Sequence, residues 1–156
     1  MARDEALNAS DPSKAAVVTT PADHDLALDK PVTASSSYSN DHAPEKAVDG
    51  DLSTRWAQGS GLPDPSWIQV DLGKDTSVSS VVTTFEKAGG YKYRLEYSTD
   101  GTTWSLFEDH TSDATSSSAV YSFADEPVTA RHLRLTVTDS SGNGGSVYGL
   151  QAYGGF

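Results

Sequence analysis

Residues 66–73, SWIQVDLG, alternate without a break. Trp67, Gln69 and Asp71 fall on one side of an extended chain, and Ile68, Val70 and Leu72 on the other. A period of two with β-branched and aromatic residues is the pattern of a half-buried β-strand. The same texture recurs outward in both directions. Upstream lies PVTASSSYS (31–39), and downstream VSSVVTTFE (78–86). In YKYRLEYSTDGTTWSLF (91–107), Tyr93, Leu95 and Tyr97 alternate with charged residues, and Asp100-Gly101 marks a hairpin turn before Trp104 and Leu106. SSAVYSFAD (117–125), ARHLRLTVTD (130–139) and SVYGLQAYG (146–154) read as three further strands. Turn signals return at intervals of about ten residues, and no amphipathic helix of ordinary length appears. Many short strands at this spacing predict an all-β fold, an antiparallel sandwich or barrel.

The totals agree with that reading. A chain of 156 residues suits one domain with a proper core. Its hydrophobic share is 36%, with many Ser, Thr, Gly and Asp residues. The net charge of −11 and a pI near 4.5 repel phosphate backbones and anionic lipid. Nucleic-acid and membrane partners are therefore not expected, and a cation or a neutral ligand is. The absence of cysteine excludes disulfides, zinc ribbons and thiol catalysis. No apolar run is long enough to span a bilayer. Residues 1–26 mix Pro, Ser, Thr, Asp and Ala and read as a linker, with one short extended piece at Ala16-Val17-Val18. Residues 27–156 form the module. The opening MARDEALNAS lacks the apolar centre of a signal peptide, so the chain reads as one module cut from a longer protein.

KAVDGDLSTRWAQ (46–58) places Asp49, Gly50, Asp51 and Thr54 within a few residues, ending at Trp56. Carboxylates, hydroxyls and carbonyls on a loop that glycine lets curl are what calcium takes. The spacing is not that of an EF-hand. An ordinary Asx turn, with both aspartates bonded to backbone amides, accounts for the same letters. The histidines are scattered, and no GxSxG elbow supports a nucleophile. The glycine-rich GNGGS (142–146) lacks the strand-to-helix setting of a phosphate cradle. A sugar needs an aromatic face for its C–H patch and directional polar groups for its hydroxyls. Tyr91 after Gly89-Gly90 and Tyr38 beside SNDH lie nearer loops than the other aromatics, and Tyr91, His42, Glu86 and Asn143 carry that chemistry.

Together these segments resemble the discoidin superfamily, the coagulation factor V/VIII type C domains. KPVTASSSYSNDHAPEKAVDGDLSTRWAQ, SWIQVDLG, YRLEYSTDGTTW, ARHLRLTV and VYGLQAYG occur in that family's order, over about residues 27–154. Within it the chain looks most like the bacterial family 32 carbohydrate-binding modules. The resemblance implies a β-sandwich jelly roll of about eight strands. It implies no catalysis, a structural calcium in the acidic loop, and a glycan held by loops at one end. Lys46 would offer its carbonyl, Asp49 its carboxylate, Asp51 its carbonyl, and Thr54 both carbonyl and hydroxyl. Tyr148 would add a carbonyl. Gly149 stands where the family has a glutamate that closes the shell, so calcium affinity should fall with the lost charge.

The sugar-binding residues implied are His42, Glu86, Tyr91 and Asn143. Galactose binders of the family tend to use a histidine, an arginine and an asparagine with an aromatic. Here Arg94 and Arg134 fall in strands, and no arginine stands clearly in a loop. Acidic residues Asp41, Glu45 and Glu86 suit instead an amino sugar or a cationic glycan such as chitosan. The lipid-binding branch carries apolar loop spikes, whereas the loops here are polar apart from Leu62. The expected protein is a monomeric, non-catalytic module of a secreted bacterial glycan-active enzyme, covalently linked to a catalytic domain that is a glycoside hydrolase. The alternative is a spacer or protein-interaction module that binds no sugar.

Overall fold

A computed structural model describes residues 25–154. The linker expected at residues 1–26, with its extended piece at Ala16-Val17-Val18, lies outside the described residues except for its last two. Seven strands run β1 Val32–Ala34, β2 Trp56–Ala57, β3 Ser66–Phe85, β4 Lys92–Ser98, β5 Ser105–His110, β6 Ala119–Asp139 and β7 Ser146–Tyr153. Two short 3₁₀ turns, Asn40–His42 and Pro44–Ala47, lie between β1 and β2. All pairings are antiparallel.

The expected strand at 66–73 and the one at 78–86 are a single strand, β3. Likewise 117–125 and 130–139 are a single strand, β6. Both bend instead of breaking. Residues 66–71 of β3 pair with β1 and with residues 132–137 of β6, which continue to β4 and β5. Residues 76–85 of β3 pair with residues 119–130 of β6 and with β7, which continues to β2. Register shifts between Asp71 and Thr76 and between Val78 and Ser80 make the corners. A bulge inserts unpaired residues, bends the strand and raises its twist. Two long strands, paired in one ladder, therefore pass from one layer of the sandwich to the other, and the hydrogen-bonded sheet stays continuous.

The buried faces follow the period of two. Ile68, Val70 and Leu72 from one layer meet Val78, Val81 and Phe85 from the other in one cluster with Leu133, Leu135 and Val137. Trp56 is fully buried and donates its indole N–H to Ser36 O at 2.8 Å, as a buried indole must find an acceptor. This anchor fixes the end of the acidic loop and the start of the loop 58–65. With the turn at 40–42, the segment after β3 and the loop between β6 and β7, it forms one end of the sandwich.

Candidate functional site

The larger concavity lies at that end. It holds about 610 Å³ and is lined by Tyr38 and His42, Arg55, the loop 57–63, Glu86, and residues 142–146. Two braces tie the loops together. Gln58 donates Nε2 to Leu62 O at 2.7 Å and accepts from Gly145 N at 2.6 Å. Asp64 accepts from the Ser140 N–H at 2.9 Å, and Ser140 Oγ accepts from Gly144 N at 2.8 Å. A Cβ on Gly145 would overlap Ser66 Oγ at the start of β3 and come 3.2 Å from the buried Trp56 ring, so a side chain there would force these neighbours to shift.

Tyr38 is 59% exposed, and its ring meets His42 edge to face with centroids 5.3 Å apart. His42 Nδ1 lies 2.9 Å from Ser39 Oγ, which sets the imidazole on its turn. Glu86, just past the end of β3, has Arg55 Nε 3.5 Å from one carboxylate oxygen and Lys87 Nζ 3.5 Å from the other. Asn143 stands exposed on the loop between β6 and β7, its N–H bonded to Ser140 O at 3.1 Å. The wall therefore offers an aromatic face, an imidazole, an amide, a guanidinium and a carboxylate. These are the groups that hold a sugar ring and its directional hydroxyls.

His42, Glu86 and Asn143 all line this cavity. Tyr91 does not, and the expectation that it stacks on sugar is corrected. Its ring is fully buried, 4.4 Å from the Phe85 ring at an interplanar angle of 14°. Its hydroxyl accepts from Lys87 N at 3.3 Å, and burial pushes the phenol's pKa up. Parity carries the signal: Tyr91, Tyr93 and Leu95 are two apart, and all three face the core. Tyr38 is the exposed aromatic instead. Arg55, just before β2, corrects the expectation that no arginine stands in a loop, for it lines the cavity. Its neighbour Trp56 is turned inward, which leaves Arg55 to face out.

The acidic loop converges on one hydroxyl. Thr54 Oγ1 lies 2.6 Å from Asp49 Oδ2, 2.9 Å from Asp51 O and 3.4 Å from Lys46 O. A hydroxyl has one proton to give, so three acceptors around it keep lone pairs to spare. Oxygens gathered in this way fit a hard cation. The Asx-turn reading holds as well, through different atoms. Asp49 Oδ1 accepts from Asp51 N, and Asp51 Oδ1 accepts from Ser53 N and Ser53 Oγ. These last two bonds hold the Asp51 carboxyl below the usual carboxylate range.

Tyr148 and Gly149 belong to β7, which packs against the turn Pro44–Ala47. A Cβ on Gly149 would come 2.6 Å from Leu52 Cδ2, so a leucine methyl covers the place where a closing side chain would start. No group of three or more His, Cys, Asp or Glu side chains is placed to hold a metal among the described residues. The donor set is one carboxylate with carbonyls and a hydroxyl, which fits a weakly held cation.

The F5/8 type C domain family matches residues 31–150. Among solved structures, the chain is similar to chitosan-binding module 1 of a chitosanase/glucanase from Paenibacillus sp. IK-5. Identity is 32%, with 84% of this chain and 99% of that one covered, at a TM-score of 0.76. Chitosan-binding module 2 of the same enzyme, solved with chitotriose, is 30% identical, covers 83% and 99%, and has a TM-score of 0.70. The family 32 module of NanJ from Clostridium perfringens, solved with galactose, is 23% identical over 80% and 93%, at a TM-score of 0.70, and speaks for the fold alone. No curated protein matches the chain. With the jelly-roll sandwich, the loop-end cavity and a family match over most of its length, the chain belongs to the F5/8 type C, or discoidin, domain family.

Proposed function

We propose that the chain is a non-catalytic carbohydrate-binding module whose loop-end cavity takes an amino-sugar unit of a cationic glycan such as chitosan. One observation carries the reading: the exposed Tyr38 ring and the Glu86 carboxylate line the same cavity. A pyranose lays its C–H face on the tyrosine and directs its ammonium to the carboxylate. His42 and Asn143 serve the hydroxyls. Lys87 is half in solvent, and such surface pairs are worth little, so a sugar ammonium exchanges for it while Arg55 stays. The likeness to chitosan-binding modules at 30–32% identity supports the same ligand class.

Calorimetry with chitotriose and with galactose tests this. Heat with chitotriose that is lost in Glu86→Gln is expected. Heat with galactose alone would overturn the amino-sugar reading. Arg55 in the cavity favours that second reading, since it supplies the arginine of a histidine–arginine–asparagine set for a neutral sugar. No heat with any glycan would leave the spacer role.

The module's work would be to raise the local concentration of a linked, secreted glycan-active enzyme on its polysaccharide. A calcium ion, when bound, would supply only charge to close the acidic loop. Lys46 and Asp51 would hold it through carbonyls, Asp49 through its carboxylate, and Thr54 through its hydroxyl.

A further inference from the structure

A second concavity lies on the flank of the sandwich, lined by Leu106 and Phe107 of β5 and by Phe123, Asp125, Glu126 and Val128 of β6. Its volume is about 300 Å³. Phe123 is 66% exposed, and Leu106 and Tyr121 are exposed as well. Large apolar side chains are not left in water in such a group without a cause.

The topology explains why the groove is open. β5 is the last strand of one layer, and residues 119–130 of β6 pair only with β3, at the edge of the other. Pairing jumps from Val78–Val128 to Ser80–Phe123, so residues 124–127 of β6 have no cross-strand partner. They form a bulge in which Asp125 and Glu126 are exposed and line the groove.

We propose that this groove is a second contact surface for the cationic glycan, independent of the loop-end cavity. The class of ligand assigned to the groove rests on the amino-sugar reading of that cavity. The occupant follows from the chemistry of the walls. Phe107 and Phe123 beside two exposed acidic residues match a polymer whose units carry a C–H face and, repeatedly, an ammonium. A protein strand added at this edge fits poorly, because the bulge interrupts the ladder and Pro127 has no N–H to give. A second copy of the chain would bring another −11 of charge to an acidic rim. A short oligosaccharide fills the loop-end cavity alone. A long chain reaches both surfaces, and the second contact is then intramolecular.

The test uses the full chain and two readouts, calorimetry with chitotriose and retardation in gels containing chitosan. Phe123→Ala leaves the net charge unchanged, so general attraction to a polycation cannot account for its effect. Because the side chain is mostly in solvent, the melting temperature should hold. The expected result is chitotriose affinity within about twofold of the parent and retention on chitosan reduced severalfold. Asp125→Asn with Glu126→Gln should act in the same direction. Glu86→Gln should lose chitotriose yet keep part of the retention, and Glu86→Gln with Phe123→Ala should lose both.

Unchanged retention in Phe123→Ala would overturn the proposal, as would retention abolished by Glu86→Gln alone, or a parent that chitosan does not retain. A parent that ignores chitotriose but loses chitosan retention on Phe123→Ala would refute the cavity reading and leave the groove standing.

Discussion

Tyr91 and Tyr38 separate packing from recognition. Tyr91→Ala removes a buried ring stacked on Phe85 and should cost about 3–5 kcal/mol, read as a fall in the urea midpoint. Tyr38→Ala should change stability by less than about 0.5 kcal/mol. It should weaken sugar binding by on the order of 1 kcal/mol, read by calorimetry. Equal effects of the two substitutions on binding, with the fold intact, would contradict this division. Asp100 illustrates acid sensitivity at one residue. It accepts from Thr103 N, Thr102 N and Ser98 Oγ, which hold its carboxyl far below the usual carboxylate range. Asp71 is held low chiefly by the Arg131 guanidinium 2.9 Å away. A depressed folded value means full stabilisation above the unfolded value of about 4 and loss as pH falls through the folded one. The urea midpoint should therefore drop between about pH 5 and pH 2. Asp100→Asn should flatten that dependence, and an unchanged slope would exclude the turn as its source.

Among the elements, the acidic loop is a closed unit in which Thr54 Oγ1 ties Asp49 to the loop's own backbone. Thr54→Val keeps the shape, removes the hydroxyl and should cost about 1–3 kcal/mol by leaving acceptors unmatched, read by thermal melting. Calcium at millimolar concentration should raise the parent's melting temperature by a small amount, since only one carboxylate faces the centre. Leu52→Ala with Gly149→Glu opens the space under Leu52 and adds the second carboxylate. It should raise calcium affinity on the order of tenfold, because affinity follows ligand charge. The paired variant showing no greater calcium response than the parent would remove Gly149 as the reason for weak binding. The two bent strands were legible only in pieces. Alternation was plain in SWIQVDLG and ARHLRLTVTD, but the corners at 71–76 and 124–127 read as ordinary turns, because a bulge and a turn draw on the same Gly, Asp and Pro residues.

Over the whole molecule, charge and shape act together. An excess of acid should make binding to chitosan fall as salt rises, since screening shortens the reach of surface charges to about 10 Å at 0.1 M. Binding should also fall at alkaline pH, where the glycan's amines lose their protons. Galactose titrated in parallel would show neither trend. Salt-insensitive retention on chitosan would sink the electrostatic part of the reading. The order of residues alone dictates the all-β class, the inward parity of Ile68, Val70, Leu133 and Leu135, and the acidic balance. These follow from local periodicity and from sums, which need no third dimension. It also pointed to His42, Glu86 and Asn143, because polar groups in loops at the ends of strands are legible one at a time. The inward parity of Tyr91 is already present in its spacing from Tyr93 and Leu95, whereas only the folded molecule exposes Tyr38, brings Arg55 to Glu86 and lays Leu52 over Gly149. It also left Phe123 beside Leu106 on an open edge. Each of these depends on which strands become neighbours, and pairing between residues far apart in the chain is set by the packing of the whole sandwich.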